Sequence, residues 1–257
     1  NRNVSSILHY HKRFFIILIL ARNRKASMTQ QVFVGYDTRE DIAYQVCEYS
    51  IKRFNPAVQI KPLIQQELRQ KKVYWREVDK LASTEFTFTR FFVPYLNDYK
   101  GWAVFCDCDF LWKVPSHMLV KYCDPSKAVV CVQHDYQPKE TTKMDGQVQT
   151  VYPRKNWSSA VLWNCGHPMN MRLGLKNLNT ESGMWHHRFM WLDDNEIGEI
   201  PHHWNYLTDW YKEPQDGKPK ALHYTEGGPW FKDKTNCEYA KEWFDMRDEM
   251  FRKIGIV

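Results

Sequence analysis

The stretch "WAVFCDCDFLW", Trp102 to Trp112, decides how this chain is read. It is an apolar run of the kind that forms a central strand, yet it carries Asp107 and Asp109, and burying an uncompensated carboxylate is costly. If the run is one strand, residues two apart point the same way, so the aspartates share one face and Cys106 and Cys108 the other. Two carboxylates on one face could hold a hard divalent cation through their oxygens. The alternative is that the strand ends at Phe105 and both acids are solvated loop residues. The apolar residues on both sides argue against that, and the C-terminal end of a strand is where ligands bind in open α/β sheets. Zinc on Cys106 and Cys108 is a further metal reading, weakened because no second C-x-C or C-x-x-C pair completes a site.

Working outward, "QVFVGYD" reads as a first strand, and in the segment after it Ile42, Ala43, Val46, Cys47, Ser50, Ile51 and Phe54 recur at helical spacing. Thr38 with Asp41 resembles a capping box for that helix. "AVQIKPL" reads as a second strand. "STEFTFTRFFVPYL" reads as a short helix capped by Ser83 and interrupted by Pro94. "AVVCVQ" and "SSAVLWNC" are further strands, near-continuously apolar as strands covered on both faces are. "KMDGQVQTVYPRKN" looks like an excursion from the sheet. Short helices are expected in "MNMRLGLKNL" and "GMWHHRFMWL", a last strand in "KALHYTEGGPWF", and an amphipathic surface helix in "CEYAKEWFDMRDEMFRK". The expected fold class is therefore α/β, a mixed central sheet flanked by helices in a single domain.

The chain has 257 residues, 43% of them hydrophobic, with 11 tryptophans, which is the composition of a folded protein with a sizeable core. The net charge of +6 comes entirely from residues 1–27, which hold Arg2, Lys12, Arg13, Arg22, Arg24 and Lys25 and no acid. The remaining residues carry 30 basic and 30 acidic groups, so the body offers no electrostatic footprint for nucleic acid. Residues 1–27 read as a basic extension upstream of Met28, and residues 28–257 as the folded domain. The apolar "FFIILILA" is too short for a membrane span, which needs about 20 residues. Seven cysteines without a repeated spacing read as reduced thiols, and a cytoplasmic location is the expectation.

Six pieces in a fixed order resemble the GT-A glycosyltransferases, and within them the family 8-like, glycogenin-like and galactosyltransferase-like enzymes. They are "FVGYD", "TRFFVPYL", "FCDCDFLW", "WSSAVLWNC", "WLDDNEIGEIPHHWN" and "LHYTEGGPW". The resemblance implies a GT-A, Rossmann-like sheet and a sugar transfer from a nucleotide-sugar donor, a UDP-sugar, to a glycan, protein or small-molecule acceptor, with retention. It implies that Asp107, Asp109 and His223 hold Mn2+ or Mg2+, which would neutralise the departing diphosphate. It further implies that Arg90 acts near the phosphates or donor sugar, that Tyr36 and Asp37 meet the nucleoside, and that Gly227 and Gly228 approach the diphosphate. Trp157, Ser158 and Ser159 would line the sugar pocket. Asp193 and Asp194 would stand near the donor sugar, with Asp194 the candidate for electrostatic help.

Each of these residues also has a plainer reading. Arg90 could be a surface ion pair, Asp37 a turn or capping acid, Asp193 and Asp194 solvated turn residues, and Trp157 core. The paired histidines His186, His187, His202 and His203 are left without a role, since adjacent side chains in an extended segment point apart. The chain departs from the family pattern where Gly228 stands before Pro229 in place of a lysine, and where Trp157, Ser158 and Ser159 replace asparagine, alanine and glycine. A donor-binding module without transfer activity, and a metal-dependent phosphohydrolase or nucleotidyltransferase, are the alternative functions.

Overall fold

The computed structural model describes residues 31–77, 79, 82–135, 154–211 and 218–256. The expected basic extension, residues 1–27, and most of the expected excursion after Lys143 lie outside the described residues.

The apolar runs assemble as a six-stranded mixed sheet. Its strands are β1 (Gln31–Gly35), β2 (Gln59–Leu63), β3 (Trp102–Cys106), β5 (Val129–Cys131), β6 (Ala160–Asn164) and β7 (Ile197–Glu199), in the order β2-β1-β3-β6-β5-β7. β1 runs parallel to β2 and β3, β6 runs antiparallel to β3 and β5, and β7 is parallel to β5. Val34 pairs with Cys106 and Cys106 with Ala160, so the residues after β1, after β3 and before β6 all leave the sheet at one edge. That edge carries the site.

"WAVFCDCDFLW" is not one strand. β3 ends at Cys106, the chain turns through Asp107 to Asp109, and Phe110–Trp112 forms β4 in a second sheet. This sheet has the order β4-β9-β8, with β8 at Tyr206–Leu207 and β9 at Ala221–His223. The aspartates therefore stand together because a turn between two sheets holds them, and strand alternation is not the cause.

The helix α1 (Asp41–Lys52) buries Ala43, Val46, Cys47, Ser50 and Ile51 of the expected face, whereas Ile42 is only partly buried and Phe54 lies beyond the helix end and is exposed. Thr38 does not cap it, since its hydroxyl bonds Glu85; Asp37 caps a 3-10 turn at Thr38–Glu40 by accepting from the Arg39 N–H. After α2 (Gln65–Gln70), a 3-10 turn at Thr89–Phe92 runs into α3 (Val93–Leu96), where Pro94 occupies the first turn. Pro94 opens this helix where interruption was expected, because a first-turn residue has no intrahelical N–H bond to lose. The helices α4 (Pro168–Met171), α5 (Leu175–Thr180) and α6 (Gly183–His187) fall in the two expected segments.

The last helix, α7 (Ala240–Lys253), buries Trp243, Met246 and Met250, three residues on one face. They join Val46 of α1, Leu111 of β4, Leu222 of β9, Tyr206 and Tyr224 in a core separate from the main one. Tyr49 Oη of α1 donates to Glu249 of α7 at 3.0 Å. This second core fixes the β4–β9 pair, and with it His223.

Candidate functional site

In the β4–β9 ladder Phe110 is the register partner of His223, so the histidine arrives beside the residue that follows Asp109. Ligand atoms of Asp107, Asp109 and His223 all lie within 4.8 Å of one another, and His223 Nε2 is 3.4 Å from Asp109 Oδ2. The turn carrying the aspartates is pinned at both ends. The Asp107 N–H donates to the Ser159 carbonyl at 2.9 Å, and the Tyr224 N–H donates to the Asp109 carbonyl at 3.1 Å. Phe110 stacks on the His223 ring with centroids 4.6 Å apart.

A relay of hydrogen bonds sets the His223 tautomer. Ser159 Oγ donates to the Asn156 carbonyl at 2.6 Å, so it accepts from Asn205 Nδ2 at 2.8 Å. The amide is thereby oriented with Oδ1 toward His223 Nδ1, 2.9 Å away. A carbonyl oxygen can only accept, so Nδ1 is the protonated nitrogen of a neutral ring, and Nε2 is the nitrogen turned toward Asp109. This is the outer-shell arrangement of a metal-binding histidine. Two carboxylates and one such imidazole fit a hard divalent ion, manganese or magnesium, whereas Cys106 faces Cys47 with sulfurs 4.0 Å apart and no cysteine joins the group.

Arg90 is buried at 7% exposure and its Nη1 lies 2.9 Å from Asp107 Oδ1, with the Ser158 carbonyl accepting from the same nitrogen at 3.3 Å. The ion pair expected at the surface is thus inside the site, where it compensates Asp107. Ser158 Oγ in turn lies 2.9 Å from His187 Nδ1, so Ser158 links one of the unassigned histidines to Arg90. Ser158 and Ser159 follow Asn156, which holds a left-handed φ of 63° that asparagine tolerates. Trp157 Nε1 donates to the His134 carbonyl at 3.0 Å.

Tyr36 and Asp37, expected to meet a nucleoside, are more committed to the protein than the sequence suggests. Asp37 is fully buried, accepting from Arg39 Nε and Nη2, from the Arg39 N–H and from the Glu85 N–H. Burial alone would raise its carboxyl, but these bonds hold it below the usual carboxylate range. The capping role describes it as it stands. The Tyr36 hydroxyl donates to Asp41 at 2.8 Å, and that bond, with burial, pushes it up to about 12. The Gly227 N–H donates to the Tyr224 carbonyl at 2.8 Å, and its φ of 95° requires glycine. Gly228 packs so closely that a Cβ would come 2.0 Å from the Trp230 ring.

Asp193 and Asp194 sit on an exposed 3-10 turn. Asp193 forms a capping box with Glu196, and Asp194, whose side chain is 92% exposed, pairs with Arg154. These partners stand outside the Asp107–Asp109–His223 group. Two residues near that group were not anticipated. Asn205 closes the quoted "WLDDNEIGEIPHHWN", and its W-N pair with Trp204, matched to the resembled family, was the signal for it. Glu40 is 3% exposed, and burial together with the negative charge of Asp109 pushes its carboxyl up to about 8.

No family model matches the chain. Among solved structures, the apo form of the glycosyltransferase GlyE from Streptococcus pneumoniae TIGR4 aligns with a TM-score of 0.54 at 15% identity, over 87% of this chain and 63% of that one. The bifunctional glycosyltransferase WbbM gives 0.55 at 13% identity, over 86% of this chain and 51% of that one. The galactosyltransferase LgtC, solved in complex with donor and acceptor sugar analogs, gives 0.52 at 10% identity, over 85% of this chain and 95% of that one. This chain thus spans less than two thirds of GlyE and about half of WbbM. Likeness of this degree establishes architecture, and the architecture is the GT-A glycosyltransferase fold. In sequence, Protein CDI of Arabidopsis thaliana is 55% identical over 224 residues, which cover 85% of this chain and 86% of that protein. The chain belongs to the family of Protein CDI.

Proposed function

We propose that this chain is a metal-dependent glycosyltransferase that moves a sugar from a nucleotide-sugar donor, a UDP-sugar, to a glycan, protein or small-molecule acceptor, with retention of anomeric configuration as in the family 8-like enzymes it resembles. One observation carries the reading. Within a GT-A fold, Asp107, Asp109 and a His223 of fixed tautomer converge from two sheets to within 4.8 Å. Asp107, Asp109 and His223 would hold manganese or magnesium. When bound, the cation supplies Lewis-acid neutralisation of the departing diphosphate.

The remaining roles belong to the chain's own groups. Asn205 orients the His223 ring so that Nε2 faces Asp109, and Arg90 compensates the buried Asp107 while its remaining N–H groups serve the donor phosphates or sugar. Ser158, Ser159 and Trp157, on the same sheet edge, line the sugar pocket. Tyr36 offers its ring to the nucleoside beside Asp37, and the Gly227–Gly228 turn approaches the diphosphate through the Gly228 side. Asp193 and Asp194 serve the donor sugar only after Asp194 leaves Arg154. Seven free cysteines suit a reducing, cytoplasmic setting, and among the described residues no helix is long and apolar enough to cross a membrane.

The test is a thermal-shift screen of nucleotide sugars with and without manganese, followed by product analysis. Stabilisation by a UDP-sugar only with metal, and release of UDP, are expected. Phosphate or pyrophosphate released from a simple nucleotide would instead make it a phosphohydrolase or nucleotidyltransferase. A second reading, a donor-binding module, is favoured by Gly228 standing where the resembled enzymes have a lysine; metal-dependent binding with no turnover of any donor would establish it.

A further inference from the structure

The three ligands do not account for every buried acid beside them. Glu40 ends the 3-10 turn between β1 and α1, is 3% exposed, and among the described residues its Oε2 has no hydrogen-bond partner. Interiors rarely keep such a group without a use, because a buried polar atom without a hydrogen bond is costly whether or not the acid is ionised. Its neighbours Asp37 and Asp107 are each answered by an arginine, Arg39 and Arg90. Glu40 makes no ion pair among the described residues.

The fold brings Glu40 to the metal turn by two routes. β1 and β3 are parallel with Val34 beside Cys106, so the turn at Thr38–Glu40 and the turn at residues 107–109 leave the sheet at the same edge. The helix that begins at the next residue packs on β4, where Ser50 Oγ accepts from the Trp112 N–H at 3.1 Å and Cys47 Sγ lies 4.0 Å from the Asp107 carbonyl. Glu40 stays outside the 4.8 Å group of direct ligands. A buried acceptor behind a metal's ligands matches the position of an outer-shell group.

We propose that Glu40 is a positioning residue of the cation site, accepting a hydrogen bond from a water that the ion carries and so setting how tightly the ion is held. This rests on the reading of Asp107, Asp109 and His223 as cation ligands. Loss of an outer-shell partner costs about 10- to 100-fold in metal affinity.

The experiment titrates manganese into the full chain by calorimetry, alone and with UDP, and follows the spin-resonance signal of bound manganese. Wild type, Glu40→Gln, Glu40→Met and Asp109→Ala are compared, with apo melting temperatures alongside. Wild type should bind and Asp109→Ala should not. Both Glu40 variants should melt no lower than wild type, because a buried acid short of a partner is gone, yet Glu40→Met, which has no acceptor, should bind manganese about tenfold or more weaker with an altered resonance signal, and Glu40→Gln, which keeps one carbonyl acceptor, should fall between it and wild type. Affinity within about twofold of wild type in Glu40→Met would overturn the proposal. Loss of folding in both Glu40 variants would also overturn it, by making Glu40 a structural group. No binding by wild type would remove the three-ligand reading itself, and this proposal with it.

Discussion

Asp107 with Asp109 and Asp193 with Asp194 are both short acidic clusters next to apolar sequence, and the structure gives them opposite surroundings. Asp107 is 8% exposed and carries Arg90 at 2.9 Å, while Asp109 faces His223 at 3.4 Å. Asp193 caps its own turn and Asp194 extends into solvent beside Arg154, its side chain 92% exposed. The difference teaches that an acidic pair acquires chemistry from what compensates its burial. A solvated carboxylate needs nothing from a cation, and an exposed ion pair contributes roughly 0–1 kcal/mol.

The sharpest way to break this comparison is to remove one acid from each pair. Asp109→Ala should weaken manganese binding by about a hundredfold or more, since a direct ligand matters at least as much as an outer-shell partner. Calorimetry that found binding intact in Asp109→Ala and lost in Asp194→Ala would reverse the assignment. The next largest effect falls on stability. Arg90→Met leaves Asp107 buried without its counter-charge, and urea melts should show a loss of about 3–5 kcal/mol. Replacing both partners, Arg90→Met with Asp107→Leu, should cost much less, because the penalty lies in the stranded charge.

His186 tests the same rule with a base. It is fully buried against Phe88 and Phe91, and burial lowers it to about 4, with Nδ1 held by the Ser182 carbonyl at 3.0 Å. His134 is lowered too, chiefly by burial. Because the folded pKa lies below the unfolded one, the unfolded chain takes up a proton first as the pH falls. Stability is therefore complete above about pH 6.5 and declines from there toward pH 4, by about 3 kcal/mol for His186. Melts across that range should show the decline, and His186→Phe should flatten it. An unchanged slope in that variant would place the acid sensitivity elsewhere. Smallest of all, Asp194→Ala should leave stability within about 0.5 kcal/mol of wild type, as surface changes do.

Much of this was legible in the sequence because it depends on local pattern. The strand in "QVFVG", the helix after it, "AVVCVQ" and the amphipathic C-terminal helix are set by apolar spacing, and the structure keeps them. What was not legible depends on tertiary placement. Periodicity does not reveal that the chain turns out of one sheet into another at Asp107–Asp109, since both strands are apolar and short. Pro94 reads as a breaker until its position in the first turn is known. Glu40, in "DTREDIAY", looks like an ordinary exposed acid at a helix start, and its burial depends on tertiary packing that the local pattern does not carry. Asn205 was visible as the asparagine of the W-N pair, but its contact with His223 depends on the relay that joins Ser159 to the histidine.

The most direct test of the central claim is a crystal of the full chain grown with manganese and UDP, measured for anomalous scattering at the manganese edge. The account predicts one strong peak bounded by Asp107, Asp109 and His223 Nε2, with the diphosphate beside it. Ordered UDP with no peak there, or a peak at Asp193 and Asp194 instead, would contradict it.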